Sequence, residues 1–110
     1  MIEAGFAAVS PGEREAVKLI SQAGLDAEIC SATRSVKGDI DAAVDAGADS
    51  VNIIIPTSRL HIVKKLTKTP EEMLDVTTSV VEHAKDRGVK AEVALEDASR
   101  TELPYLKKVI

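Results

Sequence analysis

The sequence predicts an α/β protein built from four consecutive parallel βα units in one domain covering residues 1–110. Three observations predict it. Short runs of β-branched and apolar residues alternate with segments whose apolar residues recur at helical spacing. Capping and stop residues sit between these segments where a strand-to-helix alternation needs them. Aromatics are almost missing, at 2% of the chain, so the core must be made of Val, Ile, Leu and Ala. That composition suits a parallel sheet covered by helices.

The elements follow in order. Ile2 to Val9 reads as the first strand. Ser10-Pro11-Gly12-Glu13 then reads as a helix start, because Ser10 is a capping residue, Pro11 fits the first helical position and Glu13 lies three after the cap. Ala16, Val17, Leu19, Ile20 and Ala23 supply its apolar face, and Gly24 sits where a left-handed stop belongs. Ala27 to Thr33 is the second strand. Asp39 to Ala46 is the second helix, with Ile40, Ala43 and Val44 on one face and Gly47 at its end. Val51 to Ile55 is the third strand. Its continuous apolarity, broken only by Asn52, predicts burial on both faces, and Pro56 marks its close. A short helix is expected over Leu60 to Leu66. Thr69-Pro70-Glu71-Glu72 opens a longer one carrying Met73, Val76, Val80, Val81 and Ala84, closed by Gly88. Ala91 to Leu95 is the fourth strand. Thr101 is the expected cap of a last helix that turns Tyr105, Leu106 and Val109 toward the sheet.

A strand followed each time by a helix makes consecutive strands parallel, joined by right-handed crossovers. Two architectures share that order: half of a (βα)8 barrel, or an open doubly wound sheet. Neither a GxGxxG nor a Walker loop follows the first strand, which weakens a nucleotide-binding sheet and a phosphate site at a helix N-terminus.

Composition excludes other classes. The net charge is −4 with both signs interspersed, so no basic stripe points to nucleic acid. The one basic cluster, Arg59 to Lys68, also holds Leu60, Ile62 and Leu66 and reads as an amphipathic helix with solvated lysines. No apolar run approaches the roughly 20 residues that span a bilayer. The single cysteine, Cys30, forms no internal disulfide, and without a signal peptide a cytoplasmic location is expected. His61 and His83 are far apart, and no HxH or CxxC spacing marks a metal site.

Parallel βα folds place their sites at the carboxyl ends of the strands. There this sequence puts Phe6 and Ser10, then Cys30, Ser31, Thr33 and Arg34, then Thr57, Ser58 and Arg59, then Glu96, Asp97, Ser99 and Arg100. Carboxylates, arginines and hydroxyls would converge on one mouth. Arginine forks suit carboxylate substrates, and a neighbouring carboxylate suits a base. Glu3 and Glu92 are also charged within strands, where an unpaired charge is costly. Structural readings stand beside these: Glu96-Asp97-Arg100 as a local ion pair, Arg34 as salt-bridged, Thr57-Ser58 as a turn or cap, Cys30 as a small buried hydrophobe, and His61 as packing or surface.

The ordered segments carry a resemblance. Ile2-Glu3-Ala4-Gly5-Phe6 with Ser10-Pro11-Gly12-Glu13 resembles the second barrel strand of the 2-isopropylmalate, homocitrate and citramalate synthases, members of the DRE-type TIM metallolyases. Glu28-Ile29-Cys30-Ser31-Ala32-Thr33-Arg34 is similar to their third strand, and Asp39-Ile40-Asp41-Ala42-Ala43 to the helix after it. Ile55-Pro56-Thr57-Ser58, followed by His61 and Lys65-Leu66, resembles their fourth strand and its loop, and Glu92 to Arg100 their fifth.

This resemblance implies a partial, half TIM barrel. It also implies an acyl-CoA condensation of acetyl-CoA with a 2-oxo acid in amino-acid biosynthesis, such as leucine biosynthesis, assisted by a divalent metal (Mg, Mn or Zn). It assigns Glu96 as catalytic and Glu3, Arg34, Asn52, Thr57 and Ser58 to the substrate pocket. Two positions depart from the family pattern: Asn52 stands where a histidine is common, and Ala94 where a serine is common. The family's principal metal ligands, on its first strand and in a later His-x-His pair, match nothing in this chain, so the isolated chain is expected to be inactive. Four tilted strands cannot close a barrel. The first and fourth would be open hydrophobic edges, which predicts self-association. An acyl-CoA lyase of the same superfamily and a non-catalytic, self-associating subdomain are the alternatives.

Overall fold

The structure is a computed structural model describing residues 1–110. Four strands, β1 (Ile2–Gly5), β2 (Ile29–Arg34), β3 (Ser50–Pro56) and β4 (Lys90–Glu96), form a single sheet. The helices are α1 (Pro11–Ser21), α2 (Lys37–Asp45), α3 (Pro70–Asp86) and α4 (Leu103–Val109). A π-helical turn, Leu60–Lys65, follows β3, and a 3₁₀ turn, Ala98–Arg100, follows β4.

The strand order is β1-β2-β3-β4 and every neighbouring pair is parallel. This decides between the two architectures. A doubly wound sheet reverses its strand order and carries helices on both faces. Here the order never reverses. Ile40 of α2, Met73, Val80 and Ala84 of α3, and Tyr105 of α4 all pack with Val51, Ile53 and Ile55 on one face of β3. The fold is a partial TIM-barrel-like unit. A second cluster, in which Val17 of α1 meets Ala42 and Ala46 of α2, extends the layer over β1.

The other face of the sheet has no helix on it. Strand alternation and register place Glu3, Cys30, Ala32, Ser50, Asn52, Ile54, Glu92 and Ala94 there. That face is mostly polar or small-residued around Ile54, and Asn52 and Ile54 are only half-buried, so the third strand is fully buried on its helix-covered side and not on both faces as its sequence suggested. Asn52 is half-buried on the open face, whereas Ile53 and Ile55 are fully buried beneath the helices. At the amino end of the sheet, Lys90 donates to Glu28 across β3 at 2.6 Å.

Local signals explain the element ends. Ser10 Oγ accepts the Glu13 N–H at 3.1 Å, starting α1. Thr69 and Glu72 form a complete capping box at α3. The first strand ends at Gly5 rather than Val9. Gly5 has φ +143°, the pairing register shifts there, and the next two amides go to side chains: Phe6 N to Glu13 Oε2 and Ala7 N to Ser31 Oγ. Backbone donors spent on side chains leave no ladder to extend. Gly47, at φ +85°, turns the chain from α2 into β3.

Candidate functional site

The carboxyl ends of β3 and β4 bring one cluster together. Glu96 closes β4, and Lys65 from the π-helical turn donates to both its oxygens at 3.0 and 3.1 Å. His61, one turn earlier, brings Nδ1 to 3.5 Å from Glu96 Oε2, without the geometry of a hydrogen bond. Its Nε2 lies 4.0 Å from Asp97 Oδ2. The π-helical turn thus presents His61 and Lys65 to the same carboxylate, which fits the frequent use of π-helical turns at functional sites.

Asp97 is the hinge of this cluster. It sits in the left-handed region at φ 64°, and its side chain is buried. Arg100 Nε donates to Asp97 Oδ1 at 2.7 Å. The adjacent Ser58 hydroxyl and the Arg100 guanidinium hold the Asp97 carboxyl below its ordinary value, against the opposing effect of burial. Ser58 Oγ also accepts the His61 N–H at 3.3 Å. Asp97 Oδ2 and His61 Nδ1 are buried and make no hydrogen bond.

Thr57 is fully buried and braces the cluster from behind. Its hydroxyl donates to the Glu96 carbonyl at 3.0 Å and lies 2.8 Å from Thr101 Oγ1. Thr101 Oγ1 also donates to the Asp97 carbonyl at 3.0 Å. Thr101 therefore does not cap the last helix. That role falls to Glu102, which makes no side-chain capping bond. The hydroxyl is consumed by the Asp97 turn, whose carbonyl also accepts the Arg100 amide at 3.2 Å.

The remaining candidates lie apart from this cluster. Glu3 and Asn52 meet on the open face, where Asn52 Nδ2 donates to Glu3 Oε2 at 2.9 Å across β2. Arg34, at the end of β2, is engaged by Asp39. Its Nε and Nη2 donate at 2.7 and 2.9 Å, and its own amide donates to the same carboxylate at 3.1 Å. Burial raises the Asp39 carboxyl, but the side-chain and backbone hydrogen bonds of Arg34 outweigh it and the net displacement is downward. The Arg34 side chain is 64% exposed, so the guanidinium keeps an outward edge. Its centre lies 6.0 Å over the Phe6 ring.

Cys30 and Ser31 do not reach the mouth. They lie near the amino end of β2, where burial pushes the Cys30 thiol up and Ser31 Oγ ties β2 to Gly5 and Ala7. Sequence reasoning placed His61 as packing or surface and overlooked Asp39. The signal for His61 was its i, i+4 spacing to Lys65 on a turn directly after a strand end.

Among the residues present, no group of three or more His, Cys, Asp or Glu side chains converges so as to hold a metal ion. No helix is long and apolar enough to cross a membrane.

Comparison with known proteins gives a consistent family. The family described as HMGL-like matches residues 1–110. The chain is similar to a protein named putative (R)-citramalate synthase from Methanopyrus kandleri, 54% identical over 108 residues, covering 98% of this chain and 21% of that protein. It is 48% identical to a 2-isopropylmalate synthase from Methanocaldococcus jannaschii, covering 99% of this chain and 21% of that protein. It is 47% identical to the (R)-citramalate synthase of the same organism, covering 99% and 22%. The chain thus spans about a fifth of the length of the curated relatives it matches.

Proposed function

Because the chain belongs to the HMGL-like family, we propose that it is a portion of a synthase that condenses acetyl-CoA with a 2-oxo acid, in the manner of the citramalate and 2-isopropylmalate synthases it resembles. The observation that carries this reading is the end-to-end match to that family, together with the carboxylate cluster at the carboxyl ends of β3 and β4.

The reaction needs a base at the acetyl methyl group. Glu96 takes that role: it accepts the methyl proton as the carbon attacks the 2-oxo carbonyl. The new C–C bond forms, the carbonyl electron pair becomes an alkoxide that is protonated, and water then cleaves the thioester to release the thiol. Lys65 and the His61 ring orient Glu96, and a base held within reach of its proton contributes about 10²–10⁴-fold in such steps. Thr57 and Ser58 hold the strand-end loops that carry the cluster. The outward edge of the Arg34 fork suits a substrate carboxylate, and Glu3 and Asn52 line the open sheet face beneath it. Asn52 and Ala94 are the positions that tune the 2-oxo-acid pocket.

A divalent metal would act as a Lewis acid on the 2-oxo group. The residues of this chain do not fit such an ion: Glu96 is taken by Lys65, Glu3 by Asn52, and no third ligand joins either. A cytoplasmic location belongs to the same reading.

The test is thiol release from acetyl-CoA with magnesium and a panel of 2-oxo acids. The 110-residue chain alone is expected to give none. Co-expressed with the remaining portion of the citramalate synthase from Methanocaldococcus jannaschii, it is expected to restore release, and its Glu96→Gln variant is not. Release by the isolated chain, or full restoration by the variant, would overturn the assignment.

A further inference from the structure

Behind the Glu96 cluster, on the helix side of the sheet, lies a cavity of about 180 Å³ lined by Thr57, Arg59, Ile62, Arg100, Thr101 and Tyr105, with Pro70 and Glu102 at its rim. Drug-sized pockets run from about 300 to 1,000 Å³, so this one takes only a compact ligand. Two arginines and the carboxylate residue Glu102 line it, and Arg100 is also paired with Asp97, so Arg59 is the unpaired cation there. Arg59 has no ion-pair or hydrogen-bond partner in the structure, and Arg100 uses only Nε on Asp97, leaving its terminal nitrogens free. Guanidinium groups bind oxyanions through paired N–H donors, and this cavity has an unpaired Arg59, the free terminal nitrogens of Arg100 and two hydroxyls on its lining.

The floor is what gives the cavity a consequence. Thr57 and Thr101 both line it, and their hydroxyls are the groups that hold the carbonyls of Glu96 and Asp97. An occupant that bonds either hydroxyl, or draws Arg100 from Asp97, acts on the backbone that aims Glu96.

We propose that this cavity binds a phosphate-sized oxyanion through Arg59 and Arg100, and that its occupancy is linked to the arrangement of Glu96 and Asp97. The cavity is separate from the open sheet face, so binding does not depend on the synthase reading. The linkage matters for catalysis only if that reading holds.

The experiment is titration of the 110-residue chain with inorganic phosphate, followed by amide NMR and calorimetry at constant ionic strength set with chloride. Saturable binding is expected, with amide shifts centred on Arg59, Arg100 and Thr101 and reaching Glu96 and Asp97. Arg59→Gln should weaken it at least tenfold. This variant removes a guanidinium that holds no other bond, so it tests the site without disturbing the fold. Lys18→Gln, in the separate groove between α1 and α2, should leave it unchanged. Non-saturating shifts, or equal weakening by Arg59→Gln and Lys18→Gln, would overturn the site. Saturable binding that leaves the Glu96 and Asp97 amides still would overturn the linkage. Neither outcome bears on thiol release, so failure here is distinguishable from failure of the proposed activity.

Discussion

Arg34 and Asp39 form a closed two-pronged pair at the end of β2: two guanidinium nitrogens and the Arg34 amide all donate to one buried carboxylate. The pair fixes the β2–α2 corner, because Asp39 lies in the first turn of α2 while Arg34 is the last residue of the strand.

A pH dependence follows from it. The folded Asp39 carboxyl is held below its unfolded value, near 3.9, so the unfolded chain binds the extra proton first. The stability it contributes is full above about pH 4 and is lost as pH falls through the lower folded value. Asp97 is displaced in the same direction and adds to the loss. Denaturant melts from pH 7 to pH 2.5 should show a fall that Asp39→Asn flattens. At pH 7 that variant should cost roughly 1–2 kcal/mol, the low end for a charged pair because the Arg34 end is solvated. An unchanged acid slope in the variant would remove Asp39 from the account.

Thr57→Val keeps the shape of the side chain and deletes the hydroxyl that bonds the Glu96 carbonyl and meets Thr101, whose own hydroxyl bonds the Asp97 carbonyl. The Glu96 carbonyl keeps the Thr57 amide at 3.1 Å. The expected loss is therefore about 1–2 kcal/mol rather than the larger cost of an orphaned group. Thr57→Ser should recover most of it. Equal melting temperatures for all three proteins would show that the brace is idle.

Gly47→Ala meets two penalties. The residue sits at φ +85°, and an added Cβ would lie 2.8 Å from Ser21 Oγ. That hydroxyl already bonds the Ala46 carbonyl at 3.0 Å. A loss of about 1–3 kcal/mol is expected from such strain, measured by urea unfolding. Gly24→Ala, with φ +68° but open space around it, should cost less.

Glu96→Gln preserves the volume of the side chain and removes its charge. In the reassembled synthase it should lower thiol release by about 10²-fold or more, with folding unchanged, because Lys65 and His61 are partly solvent-exposed. A retained rate would move the base elsewhere.

The sheet ends in two unpaired edges, β1 and β4. Exposed ladder groups favour pairing with another chain, so sedimentation of the isolated chain should show a dimer that grows with concentration. A single monomeric species across the whole range would sink this expectation. The open face between the edges carries Glu3, Asn52 and Glu92 around the half-buried Ile54, so association should run along the edges rather than through that face.

Much of the fold was legible because it is written locally. Ser10, Thr69 and the positive-φ glycines 24, 47 and 88 mark helix ends through bonds and dihedrals that involve only neighbouring residues. The alternation of strand and helix gave parallel pairing for the same reason. The errors came where a group's partner is distant in sequence. Strand β1 stops at Gly5 because Ser31 and Glu13 capture the next amides. Thr101 leaves its capping role because Thr57 and the Asp97 carbonyl claim it.

The candidate site divides in the same way. Sequence position alone put Thr57, Ser58 and Glu96 at strand ends, and the structure gathers them with His61, Lys65 and Asp97. It leaves Arg34 on Asp39 and pairs Glu3 with Asn52, 49 residues away. The sequence by itself determined the alternating units, their caps and the helix-facing core, since periodicity and turn chemistry act over a few residues. Only the tertiary structure decided the unreversed strand order, the open face and which carboxylate each cation neutralises. Those outcomes depend on side chains meeting across the sheet, and no local rule sets that meeting.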